Sequence, residues 1–251
     1  MIDDDVRRHC REIDACNQRG GRMLSIVDLI APGTIGPELA AYSLAAIGRG
    51  ASFLVGALPG GAGKTTVMGA LLNFVPADVE LRPADGTAAI QHGLGAREPR
   101  CCYICHEIGG GPYYAYLWGA ELRAYFELPA AGHMLATNLH ADTYDQAREQ
   151  ICGDNGVPEE ALRRMSLMYF LAIGRRGVAA RRRIVAVWES DGREPHRPVF
   201  GADGAGGVGP SALVSAAELA EARRAIDGLR TGGERTIEDV RAAIVAARAG
   251  R

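Results

Sequence analysis

Ala-Ser-Phe-Leu-Val-Gly-Ala-Leu-Pro-Gly-Gly-Ala-Gly-Lys-Thr-Thr, residues 51 to 66, decides the reading of this chain. Ala51 to Ala57 form a short apolar run without helical spacing, which predicts a buried strand. Pro59, Gly60, Gly61 and Gly63 then let the backbone curl, so that several N–H groups of Pro59 to Thr66 converge on one anion at the start of a helix. In that arrangement Lys64 reaches outer phosphates as a point charge, Thr65 offers its hydroxyl to Mg2+, and the helix presents its positive end. The pattern G-x-x-x-x-G-K-[ST] is met at Gly63, Lys64 and Thr65, whereas Leu58 stands at the first glycine position. Gly60, Gly61, Ala62 and Thr66 complete the expected nucleotide-binding loop.

A chain of 251 residues can bury a full core. Its net charge of −2 and pI near 6.3 give no support for a protein that coats nucleic acid, and no nucleic-acid partner is expected. The start, Met-Ile-Asp-Asp-Asp-Val-Arg-Arg-His, is charged where a signal peptide is apolar, and no run approaches the roughly 18 apolar residues of a membrane span. The expectation is a cytoplasmic protein whose six cysteines are reduced.

Around the loop, the spacing predicts a polar N-terminal helical extension over 1–22 and a helix over Pro37 to Ile47. A helix over Lys64 to Phe74 and a strand over Val79 to Arg82 follow. Residues 86 to 100, rich in Gly, Arg and Pro, read as a surface loop in which Arg97 and Arg100 are candidate phosphate or subunit contacts. Cys101 to Ile108 read as a buried strand that delivers Glu107 beside the phosphates and the attacking water. Cys102, Cys105 and His106 match C-x-x-C-H, but haem attachment goes with export, and strand alternation sends the two thiols to opposite faces, against zinc. Pro112 to Phe126 suggest one helix crowded with aromatic residues.

Met134 to Ala136 form a short strand running out into Thr137, Asn138 and His140, where an α/β sheet keeps its ligand site. Asp142 is the expected cap of the next helix. Met168 to Ile173 and Arg183 to Trp188 suggest a hairpin whose five arginines between 175 and 183 are candidates to serve a neighbouring subunit. A linker over 191–210 and two helices, capped by Ser211 and Thr236, form the expected C-terminal helical appendage, 211–251.

Four stretches together resemble the secretion ATPase superfamily, the motors of type II and type IV secretion, pilus assembly and conjugation, and especially its archaeal branch. They are residues 24 to 50, the loop with Ala70 to Asp78, Ile104 to Ile108, and Gly132-His133 followed by Thr137 to Asp142 with the two histidines seven apart. The resemblance covers roughly 24 to 190 and implies a RecA-like P-loop NTPase domain over 23–190, α/β, with a predominantly parallel sheet flanked by helices. It implies ATP and Mg2+ as cofactors, Lys64 and Thr65 on phosphate and metal, Glu107 as metal contact and water-orienting acid, and His140, with His133, as histidine-box residues. Asp85 is the candidate second catalytic acid, because the family's Glu-Asp motif is reduced here to Asp85-Gly86.

Further departures are Leu58 in the loop, His106 before Glu107, and the short stretch of about fifty residues before the loop, where the resemblance leads one to expect the substantial N-terminal domain of most members. A hexameric ring and a membrane-platform partner at the inner face of the membrane follow from the resemblance alone. Two alternatives stay open: a P-loop kinase using 86–100 as its lid, and a non-catalytic, nucleotide-gated binding module.

Overall fold

The computed structural model describes residues 3–17, 20–58, 60–95, 99–176, 179–201 and 207–249. Their eight strands are β1 (Phe53–Gly56), β2 (Glu80–Pro83), β3 (Cys101–Ile108), β4 (Tyr116–Leu117), β5 (Met134–Leu139), β6 (Leu167–Arg176), β7 (Ala179–Glu189) and β8 (Arg197–Phe200). They form one sheet in the order β2-β3-β5-β1-β6-β7-β8, with β4 paired to the end of β3. Every pair from β2 to β6 is parallel, and β6-β7 and β7-β8 are antiparallel. The chain is thus α/β with a mostly parallel sheet, as the sequence predicts.

Ten α-helices among the described residues cover the sheet. They are α1 (Asp4–Ala15), α2 (Ile26–Ile30), α3 (Pro37–Gly48), α4 (Lys64–Leu72), α5 (Gly86–Gly95), α6 (Ala120–Tyr125), α7 (Tyr144–Arg148), α8 (Glu159–Leu162), α9 (Ala216–Thr231) and α10 (Ile237–Ala249). Strand alternation divides the core into two layers. Phe53, Val55, Cys102, Ile104 and Tyr169 face α1, α3, α4, α9 and α10, and Leu54, Tyr103, Cys105, Leu135 and Phe170 face α5, α6 and α8. Cys102 and Cys105 therefore lie in different layers, as alternation requires.

Several local expectations are corrected. Residues 86 to 95 are a helix, not a loop: Ile90 is buried, and Gly93 lets α5 close onto the sheet, since a Cβ there would lie 2.5 Å from the Tyr103 hydroxyl. Thr87 adds a hydrogen bond to Glu121 of α6. Arg97 falls outside the described residues. The aromatic stretch is not one helix, because Tyr116 and Leu117 pair with β3 and Gly119, at φ 59°, separates them from α6. Tyr125 and Phe126 enter the core, whereas Tyr113, Tyr114 and Trp118 are exposed. The stretch expected as a linker supplies β8. Thr143, not Asp142, caps α7, and Ser215, not Ser211, caps α9 in a box with Glu218. Thr236 caps α10 as expected, with Asp239.

The last helices share the core layer of α1, α3 and α4. Ser211 and the Ala212 N–H donate to the fully buried carboxylate of Glu189, which also accepts from Tyr42 of α3 and Arg197 of β8. At the far end of α4, where the last carbonyls of a helix lack partners, His9 of α1 donates from Nε2 to Leu72 O at 3.0 Å. Arg241 of α10 donates to the carbonyls of Asn73, Val75 and Pro76. The helix that begins in the glycine loop is thus fixed at its other end by both α1 and α10.

Burial, aided by the charge of Arg241, lowers the His9 pKa to about 3. The folded protein therefore keeps His9 neutral while the unfolded chain takes up a proton near pH 6.5, so stability is lost as pH falls through the window from about 6.5 to 3. Between pH 7 and 5 this one group should cost about 2 kcal/mol. His9→Gln, which keeps a donor for Leu72 O and does not titrate, should flatten that limb in urea unfolding; an unchanged slope would refute the assignment.

Candidate functional site

The site lies where β1 ends. Gly61 and Gly63 have φ of 80° and 95°, the left-handed region in which a side chain is strained, and Gly63 leads directly into α4 at Lys64. Leu58 is not such a position: among described non-glycine residues only Ala115 has a positive φ, so the missing first glycine costs no backbone strain. Leu58 is instead clamped through its main chain, its N–H donating to Asp142 Oδ1 at 2.7 Å and its carbonyl accepting from His140 Nδ1 at 3.0 Å. Pro59 falls outside the described residues. Gly60, Gly61, Ala62, Gly63, Lys64, Thr65 and Thr66 all line one cleft of about 790 Å³.

The opposite wall comes from β3. Its pairing with β5 runs Cys105↔Thr137 and then Ile108↔Leu139, so His106 and Glu107 together stand against the single residue Asn138. Such a bulge re-aims side chains at the end of a strand, and here both His106 and Glu107 line the cleft. Glu107 Oε1 comes within 3.5 Å of Lys64 Nζ, and both side chains are buried. Lys64 also donates to Ala57 O at 3.2 Å. Burial raises the Glu107 pKa, and the charges of Lys64 and His140 oppose that rise.

His140 follows β5. Nδ1 gives its proton to Leu58 O, Nε2 faces Glu107 Oε2 at 3.8 Å, and Lys64 Nζ stands against the ring edge, 3.3 Å from Nδ1 and 3.5 Å from Nε2. Lys64, Glu107 and His140, drawn from three separated stretches, thus meet in one place.

Other expected residues do not reach it. Thr137 and Asn138 are interior residues of β5, their side chains turned to the carbonyls of Asn138 and His106. His133 sits at the opposite end of that strand, accepting from the Cys101 N–H and donating to Gly93 O, a buried link between β3 and α5. Asp85 is exposed after β2; it does not line the cleft, and its charge acts on His106, whose pKa burial lowers.

Two contributions were not singled out in the sequence. One wall includes Asn17, Arg22, Met23, Asp28 and Thr34, with Arg22 paired to Asp28 through two hydrogen bonds of 2.8 and 2.9 Å. The Ser25/Asp28 capping box was the available signal. The other is Arg182 of β7, whose Nε and Nη2 donate to Gly61 O at 3.2 and 3.1 Å. The basic run was visible, but which arginine faced inward depended on hairpin register.

As oxygen donors for a cation the cleft offers the Thr65 hydroxyl and Glu107 Oε1, which receives no hydrogen bond among the described residues. No group of three or more His, Cys, Asp or Glu residues suited to hold a metal occurs among those residues, so a bound cation would take further oxygens from its ligand or from water.

No family model matches the chain, and no curated protein does. Among solved structures it is similar to the VirB11 ATPase of the Brucella suis type IV secretion system, solved with sulphate, at 20% identity and a TM-score of 0.42. That likeness covers 58% of this chain and 50% of VirB11. The Legionella pneumophila ATPase DotB is similar at 14% identity and a TM-score of 0.42, over 62% of this chain and 51% of DotB. The chain thus matches about half the length of each of these proteins.

Proposed function

We propose that the chain binds ATP in the cleft and hydrolyses it, as the motor core of a type II or type IV secretion or pilus-assembly system. The observation that carries the catalytic reading is the meeting of Lys64 and Glu107, 3.5 Å apart, at the mouth of a glycine loop. A lysine and a carboxylate held this close in one cleft with a glycine loop that leads into a helix suit a triphosphate better than a merely structural turn.

In this reading the loop amides and Lys64 hold the phosphates. Glu107, whose proton affinity is raised by burial, orients the attacking water and accepts its proton, while the bond from the terminal phosphorus to its bridging oxygen breaks to release ADP and phosphate. Thr65 and Glu107 would hold Mg2+, which would supply charge neutralisation at the phosphates. His140 steadies Lys64 and Glu107 from below. Arg182, already on the loop, supplies a cation from the same chain. Assembly into a ring and docking on a membrane platform belong to the proposal as well; no described helix is long and apolar enough to cross a membrane.

The kinase alternative requires a mobile cover, and its candidate, 86 to 100, is over Gly86–Gly95 a helix packed against α6 and the turn at Leu128–Ala131.

Lys64→Ala should weaken ATP binding by about 2–5 kcal/mol without unfolding the chain, since Glu107 can take up a proton once its cation is gone. Unchanged binding of labelled nucleotide would refute the site. Glu107→Gln should retain binding and lose roughly 10²- to 10⁴-fold in phosphate release; binding without turnover in the wild type would instead favour the gated module, and acceptor-dependent turnover the kinase.

Arg182→Ala should lower turnover, and mixing it with Lys64→Ala protein should restore none, because both groups serve the same cleft. Recovery in the mixture would place Arg182 across a subunit boundary.

A further inference from the structure

The bulge that aims Glu107 needs something to hold it. In a regular strand the N–H and carbonyl of one residue address the same neighbouring strand. His106 departs from this: its N–H donates to Ala115 O, on the β4 side, and its carbonyl accepts from Asn138, on the β5 side. The first contact belongs to main-chain pairing along that edge, where the Gly109 N–H also donates to Leu117 O. The second is made by a side chain. Asn138 Nδ2 reaches His106 O at 2.8 Å, and Asn138 is fully buried.

Asn138 stands opposite Val55 of β1 and opposite the His106–Glu107 pair of β3, so it lies between the strand that feeds the glycine loop and the strand that carries the acid. Its orientation is fixed, because a carbonyl can only accept and so must face the amide nitrogen. Oδ1 is left without a hydrogen-bond partner among the described residues. A hydrophobic residue of similar volume would fill the position without that unmet acceptor, so stability alone does not account for an asparagine here.

We propose that Asn138 is the positioning residue for Glu107: its amide pins the bulged carbonyl of His106 and thereby sets the Glu107 carboxylate against Lys64. This rests on the hydrolytic reading of the cleft only for its kinetic consequence. Asn138→Leu keeps the volume and removes the donor.

The test combines a crystal structure of that variant with steady-state kinetics. The expected result is a shifted β3 register or a Glu107 carboxylate displaced from its 3.5 Å approach to Lys64. Turnover should fall up to about 100-fold while ATP affinity is unchanged, with no further loss when Asn138→Leu is added to Glu107→Gln. An unaltered register and Glu107–Lys64 distance would overturn the proposal, as would equal losses of turnover in the wild-type and Glu107→Gln backgrounds. If the wild type itself releases no phosphate, the hydrolytic reading fails by itself, and the variant's geometry still decides the role of Asn138.

Discussion

The site depends on one buried ion pair. Lys64 and Glu107 face each other at 3.5 Å with little solvent around either. At the effective dielectric of such sites their attraction is on the order of 4–5 kcal/mol, and the cost of taking two charges out of water is several kcal/mol for each. The pair is therefore close to neutral for folding and is weak as a stabilising device. What it does is hold opposite charges at an address the rest of the fold defines. β1 delivers the lysine through the glycine loop, β3 delivers the acid, and β5 lies between them, carrying Asn138 and leading into His140.

The remainder of the chain keeps those three strands and α4 in register. His9 and Arg241, from opposite ends of the sequence, occupy the carbonyls at the end of α4. Glu189 gathers α3, β8 and the segment before α9 around one buried carboxylate. Breaking such a cluster from one side leaves a buried charge uncompensated, which costs far more than the cluster contributes when whole. These contacts are long-range, so the C-terminal helices stand in the same core layer as the helix that starts at the glycine loop.

The strands and the glycine loop were legible in the sequence because their signals are local. An apolar run before Gly60 to Lys64 and the eight-residue run from Cys101 to Ile108 each state their own conformation. The meeting of Lys64, Glu107 and His140 followed from motif order along the chain. Less legible was whatever depended on contacts across the sheet. Gly93 reads as a breaker until Tyr103 and Leu128 are seen to close on it. Tyr116 and Leu117 look helical until an edge of β3 is available to pair with them. Arg182 was one of five arginines until hairpin register turned it onto Gly61. His133 and His140 showed the same spacing signal, and only their positions at opposite ends of β5 separate a core link from a residue beside Lys64 and Glu107.

Leu58 shows how far a motif can depart without losing its geometry. A glycine is required where φ is positive or where a side chain would collide, and neither holds at Leu58, which is 47% exposed. The turn there is fixed by Asp142 on its N–H and His140 on its carbonyl, both supplied from the end of β5. The same imidazole faces Glu107 with its other nitrogen and lies within 3.3 to 3.5 Å of Lys64 Nζ. His140 therefore holds the main chain of Leu58 and stands against Lys64 and Glu107 at once, so the position without its glycine and the buried ion pair share one ring as a common neighbour.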